Sequence, residues 1–267
     1  MKNNTSSFAL ITGASSGIGL ELAKVFAENK INLILTARST DKLEALADEL
    51  LLQNIEVLTF SADLSKTEEA ISLYGFIKQK NIFIEYLVNN AGFGTLQKFH
   101  EGNWSNERDM INLNISALTQ LTKLFLPGMV KNRKGKILNV ASTAAFQPGP
   151  FFTVYYATKA FVLSFSEGIA EELKGTGVTV TALCPGPTQS AFQKRAGIPD
   201  SKFMSAIPSA TSISVALYGF RAMMKGKVIA IPGVMNNIGA NTSRFFPRSW
   251  IRKIVKSLHL SVGKKSQ

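Results

Sequence analysis

Tyr155 and Lys159 stand four residues apart in the stretch Tyr155-Tyr156-Ala157-Thr158-Lys159. On a helix that spacing sets both side chains on one face, a turn apart. An ammonium beside a phenol stabilises the phenolate, so the tyrosine pKa is expected to fall toward working pH and Tyr155 becomes a candidate general acid/base. Alone, the pair reads more readily as an amphipathic helix carrying one aromatic and one lysine. Tyr156 is the rival phenol, but its partner four residues on is Ala160, not a cation. Ser142 follows the apolar run Lys136–Val140 directly, where a hydroxyl can meet a ligand, although most serines at such a point cap a turn.

The elements that must position these groups follow from the hydrophobic periodicity. Phe8–Ile11 reads as a buried strand that runs into Thr12-Gly13-Ala14-Ser15-Ser16-Gly17-Ile18-Gly19, and a helical pattern follows. Strand, glycine-rich turn and helix make a phosphate cradle: the glycines allow a tight turn and close backbone approach, and the helix N-terminus offers free N–H groups. The spacing is Gly-x3-Gly-x-Gly, and its flanks favour a dinucleotide over a plain strand–helix turn. The second strand, Ile31–Ala37, ends at Arg38 with no acid before Asp41. An arginine there suits a 2′-phosphate, which favours NADP over NAD. Ile55–Phe60 is a third strand; Asp63 and Leu64 lie just beyond it, and Ser65 with Glu68 reads as a capping box. Glu85–Val88 is a fourth strand, ending in Asn89-Asn90-Ala91-Gly92.

Residues 105–131 carry a long helical pattern with Asn114 inside it. Asparagine competes for backbone hydrogen bonds and marks a kink or a polar task. A further helix begins near Thr153 and carries Tyr155 in its first turns. Val178–Leu183 is a sixth strand, broken sharply at Cys184-Pro185-Gly186-Pro187-Thr188. The irregular segment 189–210, with Phe192, Phe203 and Met204, has the length of a binding loop. A helix over 210–225 and a strand over Val228–Ile231 complete the alternation, which predicts an α/β fold: a doubly wound parallel sheet of about seven strands with helices on both faces.

Taken in order, Thr12-Gly13-x3-Gly17-x-Gly19, Asn89-Asn90-Ala91-Gly92, Asn114, Ser142, Tyr155-x3-Lys159 and Pro185-Gly186 resemble the short-chain dehydrogenase/reductase family over residues 7–232. The run Asn139–Lys159 and the tail look most similar to a bacterial branch of uncharacterised oxidoreductases. The resemblance implies a single-domain Rossmann fold over residues 1–232, with a substrate loop and helix at 189–225 inside it, and an extension over 233–267. It implies hydride transfer between a nicotinamide and a carbonyl or secondary alcohol, with Tyr155 exchanging the proton. Lys159 would lower the tyrosine pKa and hold the nicotinamide ribose, Ser142 would hydrogen-bond the substrate oxygen, and Asn114 would hold a relay water. Gly13, Ser15, Ser16, Gly17, Ile18 and Gly19 would line the pyrophosphate and ribose. Arg38 would meet the 2′-phosphate, Asp63 and Leu64 would flank the adenine, and Asn90, with Ala91 and Gly92, would lie along its ribose. Pro185, Gly186 and Thr188 would close over the nicotinamide. The alternative is a non-catalytic dinucleotide-binding sensor or a membrane-recruited scaffold; a scaffold has no need of the Tyr–Lys pair.

Composition bounds the rest. The chain has 267 residues, 45% hydrophobic and 18% charged, as suits a globular protein with a sizeable core. The one cysteine, Cys184, excludes an internal disulfide and reads as a buried small hydrophobe. His100 and His259 are far apart in sequence and give no metal site. No secretory leader pattern opens the chain and no run of about 18 apolar residues could cross a bilayer, so a cytoplasmic protein is expected. Residues 1–200 are near neutral, with 19 Lys/Arg against 18 Asp/Glu; after Asp200 there are 11 Lys/Arg and no acid. That asymmetry points to an anionic partner for the last third. Residues 248–260 form a basic amphipathic pattern in which Trp250, Ile251, Ile254, Val255 and Leu258 share a face. Packing on the body or on a second subunit of a homo-oligomer is slightly favoured over peripheral contact with an anionic membrane. No nucleic-acid partner is expected, because no recognised binding fold accompanies the charge. Phe93, Phe146, Phe151, Phe152 and Phe192 around the expected site point to an apolar small-molecule carbonyl or alcohol as substrate, although all five could equally be core.

Overall fold

A computed structural model describes residues 7–197 and 209–263. Phe203 and Met204 of the binding segment and the last four residues of the extension lie outside the described residues. The chain alternates strands and helices: β1 (Phe8–Thr12), α1 (Gly17–Glu28), β2 (Asn32–Ala37), α2 (Thr40–Leu51), β3 (Val57–Ser61), α3 (Thr67–Gln79) and β4 (Ile84–Asn89). Then come α4 (Trp104–Ile111), a π-helical turn (Asn112–Ala117), α5 (Leu118–Lys131), β5 (Gly135–Val140), α6 (Thr153–Glu172) and β6 (Val178–Leu183). A two-residue parallel pair, β7 (Thr188–Gln189) and β8 (Ala210–Thr211), brackets the short α7 (Phe192–Arg195). After α8 (Ser212–Met224) and β9 (Ile229–Ala230), α9 (Val234–Thr242) and α10 (Arg248–Gly263) close the described residues.

Seven strands form one parallel sheet in the order β3-β2-β1-β4-β5-β6-β9. The order reverses between β1 and β4, and the crevice beyond the carboxyl ends of those strands is where such sheets bind ligands. Residues alternate faces along each strand. Ala9 and Ile11 of β1 pack toward α1 and α8, with Phe26 and Phe220 in edge contact at 4.9 Å. Phe8 and Leu10 pack toward α3 and α5, with Leu73, Ile77, Leu121 and Phe125. A smaller cluster joins Val162 and Leu163 of α6 to Ala182, Cys184, Ile231 and Ala240. Burial on both faces is why the strands read as continuous apolar runs.

Two local expectations change. Ser65 does not cap α3: its hydroxyl donates to Asp63 Oδ1 at 2.8 Å, and Lys66 occupies the cap position without a side-chain hydrogen bond. The helix begins one residue later than the capping pattern implies, so Ser65 lies outside the cap position and its hydroxyl turns back to the carboxylate. The anomaly at Asn114 resolves as a π-helical turn, a form that often marks functional sites.

A polar network lies behind the crevice. Asn89 Nδ2 donates to Asn139 Oδ1 (2.9 Å) and Thr122 Oγ1 (3.1 Å), and Asn139 Nδ2 donates to Ser166 Oγ (2.9 Å). Four elements, β4, β5, α5 and α6, are thereby held in register where the site begins.

Candidate active site

The glycine loop is fixed by contact with the loop after β4. β1 ends at Thr12, the chain turns through Gly13 at φ +67°, and α1 starts at Gly17. A Cβ on Gly13 would fall 2.9 Å from Ala91 Cα, so the loops meet backbone to backbone. Thr12 Oγ1 accepts from Asn90 N (2.9 Å) and Ala91 N (3.0 Å) and donates to Val88 O (3.3 Å). Asn90 Nδ2 donates to the carbonyls of Thr12 (2.9 Å) and Gly13 (3.2 Å). Asn90 faces the cleft, and its amide hydrogens tie the two loops together. The first turn of α1 carries no acid, and Ser16 makes no side-chain cap, so the amides there are free to meet a phosphate.

One cleft of about 710 Å³ runs from this loop to Tyr155 and Lys159. Gly13, Ser15, Ser16, Gly17, Ile18, Arg38, Asp63, Leu64, Asn90, Ala91, Gly92, Ser142, Tyr155, Lys159, Pro185, Gly186 and Thr188 all line it. Gly19 and Asn114 do not: both sit behind the wall, Gly19 packed on Gly13 and Asn90, Asn114 only 1% exposed. Asn114 Oδ1 accepts from Phe93 N (3.1 Å), and its Nδ2 donates to Phe93 O (2.9 Å) and Thr158 Oγ1 (3.0 Å). Its side chain clamps the loop after β4 to α6. Of the five phenylalanines, Phe152 and Phe192 line the cleft.

Ser142 holds the position where β5 ends. It accepts from Ala144 N at 3.1 Å, capping the turn Thr143–Phe146, and its hydroxyl reaches Pro185 O at 3.4 Å. It therefore caps a turn and faces the cleft at once. Gly94 allows the neighbouring loop to lie on the Tyr155 ring, since a Cβ there would come within 2.8 Å of Tyr155 Cδ2. Lys159 is 5% exposed; Nζ donates to Val140 O at 2.7 Å and stands 5.7 Å from the Tyr155 ring centre.

Burial dominates the titration of this cluster. It pushes the Tyr155 phenol up, and a hydrogen bond with the Ser142 side chain pulls it back only in part. This reverses the expectation from the Tyr–Lys spacing, because the phenolate would lose more hydration than its neighbours return. Burial also lowers the Lys159 ammonium to about 8, against a raising influence of Cys184. Burial likewise pushes the Cys184 thiol up to about 12.

Spacing arguments missed several lining residues. Lys42 and Arg195 join Arg38 in the cleft wall. Arg195, the last residue of α7, stacks on the Phe93 ring at 4.4 Å. Its guanidinium is pushed down by burial and by the Arg38 charge, with Asp63 pulling the other way. Leu258 and His259 of α10 line the same cleft. An Arg at the end of a short helix within an irregular segment, and a histidine in a basic tail, carry no local signal of such a position.

A backbone-to-backbone glycine contact, an uncapped helix start and a long cleft ending at a buried Tyr–Ser–Lys cluster fit a dinucleotide and a small substrate end to end. Fold and site define a dinucleotide-binding α/β oxidoreductase. A sequence model of the short chain dehydrogenase family matches residues 7–199. The chain is 37% identical to the uncharacterized oxidoreductase YvrD of Bacillus subtilis over 181 residues, covering 67% of each chain. It is 31% identical to the very-long-chain 3-oxoacyl-CoA reductase of Rattus norvegicus over 269 residues, 97% of this chain and 84% of that one. A short-chain dehydrogenase from Sphingobium yanoikuyae in complex with NADPH superposes with a TM-score of 0.81 at 30% identity, over 90% of this chain and 92% of that one. The chain belongs to the short-chain dehydrogenase/reductase family, oxidoreductases that act on alcohol and carbonyl groups.

The depressed Lys159 has a consequence for stability. A fall from 10.5 to about 8 corresponds to roughly 3 kcal/mol held against the buried ammonium. Between those values the unfolded chain binds a proton that the folded chain has released, so stability rises with pH. Above about 10 the buried phenols of Tyr155 and Tyr86, both pushed up chiefly by burial, reverse the trend because the unfolded chain then loses protons first. Lys159→Met is expected to be more stable than the parent at pH 7 by on the order of 1–3 kcal/mol. That advantage should shrink as urea titrations are repeated from pH 8 to pH 10. A constant difference across that range would contradict the buried, proton-releasing lysine.

Proposed function

We propose that this chain is an NADP(H)-dependent oxidoreductase of an apolar ketone or secondary alcohol, with Tyr155 as general acid/base. The observation that carries the reading is the convergence of Tyr155, its hydrogen-bond partner Ser142, and Lys159 at one end of the cleft that begins at the glycine loop. Bound NADPH supplies a hydride to a carbonyl carbon, or its oxidised form removes one from a carbinol. Tyr155 Oη gives its proton to the carbonyl oxygen as negative charge grows there. Ser142 Oγ hydrogen-bonds that oxygen and Tyr155 in turn. Lys159 lends a positive charge that steadies the phenolate left behind. Burial keeps the Tyr155 phenol protonated, the form that donates to a carbonyl oxygen. Asn114 acts as a clamp on the Phe93 loop and α6 in this reading, its hydrogen bonds already committed.

Arg38, Lys42 and Arg195 support NADP over NAD. Among the described residues none of the three has a carboxylate within ion-pair distance, and an anion between them would relieve their mutual repulsion. The NADPH complex of the Sphingobium yanoikuyae relative agrees with that preference. Aromatic walls from Phe152, Tyr156 and Phe192, with Leu96 beside them, support an apolar substrate. The rat relative named for very-long-chain 3-oxoacyl-CoA agrees with that chemistry. We assign the catalytic domain to residues 1–232 and the extension to 233–267.

A specific observation favours peripheral membrane contact as an added property. Val255 of α10 is 3% exposed, but Trp250 and Ile254 on the same helix are 60% and 57% exposed, beside exposed Arg252, Lys253 and Lys256. The apolar stripe is thus wider than the seam it packs. Among the described residues no helix is long and apolar enough to cross a membrane.

Three outcomes are expected. Tyr155→Phe should keep its circular dichroism spectrum and lose turnover by on the order of 10²–10⁴-fold; retained turnover would sink the assignment. In cofactor titrations, Arg38→Ala should weaken NADPH by roughly 10–100-fold with NADH changed far less, and Arg195→Ala should move in the same direction. Equal weakening of both cofactors would argue against a 2′-phosphate contact. Sedimentation with vesicles should retain the protein on anionic phosphatidylglycerol and release it when Trp250 and Ile254 are both changed to Ser. No difference between anionic and neutral vesicles would remove the membrane contact.

A further inference from the structure

Polar atoms on the substrate side of the cleft take no part in the chemistry above. Tyr156 Oη and His259 Nε2 lie 3.2 Å apart, and His259 Nδ1 lies 2.6 Å from Pro150 O. A carbonyl only accepts, so Nδ1 carries the imidazole proton and Nε2 is left to accept from the Tyr156 hydroxyl. The side chain of Gln147 hydrogen-bonds Tyr156 as well. The imidazole also packs on the rings of Tyr156, at 5.6 Å, and Phe152, at 6.0 Å. These contacts join residues 103 and 109 positions apart and fasten α10 to the first turn of α6 and the loop before it. Tyr156 is the immediate neighbour of Tyr155, and the two rings meet edge to face at 6.2 Å. Fastening α10 therefore sets Leu258 and His259 into the wall of the cleft that Tyr155 lines.

We propose that the Tyr156–His259 hydrogen bond is a latch that makes α10 the substrate-selecting wall of the site. His259 is a positioning residue, and the substrate it selects is a ketone whose bulky apolar body lies between Phe152, Phe192 and Leu258. The inference rests on the Tyr155 reading for its chemistry and on the two hydrogen bonds for its geometry. A small ketone needs only Ser142 and Tyr155 and gains little from α10. A bulky ketone buries its body against α10 and loses that contact when the latch opens.

The test compares the full-length parent with His259→Ala, Tyr156→Phe, the double variant and His259→Gln, using 2-butanone and 1-phenyl-1-hexanone with NADPH. Loss of the latch should lower the ratio of kcat/KM for the phenyl ketone to that for butanone by on the order of tenfold, with KM moving more than kcat. His259→Gln keeps an acceptor near Tyr156 and should recover part of the ratio. The double variant should be no worse than either single one, because both remove the same bond. An unchanged ratio, or equal loss on both ketones, would overturn the proposal.

A second readout does not depend on turnover. Tryptic cleavage after Arg252, Lys253 or Lys256 should speed up by on the order of tenfold in His259→Ala and Tyr156→Phe, as the end of α10 opens more often. Phenylhexanone with NADPH should slow that cleavage in the parent, and butanone should not. Unchanged cleavage in both variants, or no protection by the phenyl ketone, overturns the latch even where neither ketone is reduced. If Tyr155→Phe keeps its activity while the proteolysis results hold, the chemical assignment fails and the latch stands.

Discussion

A lysine ammonium buried against one backbone carbonyl is costly, and much of the site exists to make that arrangement hold. Lys159 reaches Val140 O at 2.7 Å from the second turn of α6. For it to do so, β5 and α6 must lie in fixed register, which the Asn139–Ser166 hydrogen bond between them secures. The loop after β4 must also pass close by without side chains in the way. That loop is clamped by Asn114 through both the N–H and the C=O of Phe93. A π-helical turn makes this clamp available, since it turns one residue of an otherwise regular helix inward. The polar cluster of Tyr155, Ser142 and Lys159 therefore stands on a frame of neutral amide and hydroxyl groups, and among the described residues Lys159 has no carboxylate within ion-pair distance.

The same economy governs the other end of the cleft. Two loops that a phosphate would touch are first fastened to each other, through Thr12 and Asn90, and only their outward amides remain for a ligand. A pre-formed cradle spends no ordering entropy when the ligand arrives. Cations supply what the cradle lacks. Arg38 comes from the turn just after β2 and Lys42 from α2, whereas Arg195 arrives from a short helix far along the chain and is steadied by the Phe93 ring. Phe93 thus links both ends of the site, since Asn114 grips its backbone and Arg195 covers its ring.

Much of the site was legible because its residues are bound to local structure. Gly13, Gly17 and Gly19 announce a tight turn between a strand and a helix, and Tyr155 and Lys159 share a helical face at any tertiary arrangement. Ser142, Asp63 and Pro185 follow strand ends, and in a parallel sheet all such ends gather on one edge. What failed to carry over was environment. The Tyr–Lys spacing predicts a lowered phenol, but burial raises it, and burial is a property of the whole fold. Asn90 donates to the carbonyls of Thr12 and Gly13, and Asn114 bonds both the N–H and the C=O of Phe93 and the Thr158 hydroxyl, contacts that no local pattern announces. Ser65 reads as a cap and bonds Asp63 instead. Of five phenylalanines expected near the substrate, two reach the cleft, because loop residues carry no periodicity from which a facing direction follows.

The sequence by itself determined the parallel sheet, the phosphate cradle, the Tyr–Lys pair and the basic character of the tail, since each depends on spacing within some twenty residues. Tertiary structure alone decided the protonation of Tyr155 and Lys159, the third cation at Arg195 and the use of the tail. Residues 248–260 read as an amphipathic basic helix packing on the body or a second subunit, or lying on an anionic membrane, with Leu258 on its apolar face and no role assigned to His259. In the fold both line the cleft, and His259 bonds to Tyr156, 103 positions earlier. A hydrogen bond of that span leaves no periodic trace, because its geometry is set by everything folded in between.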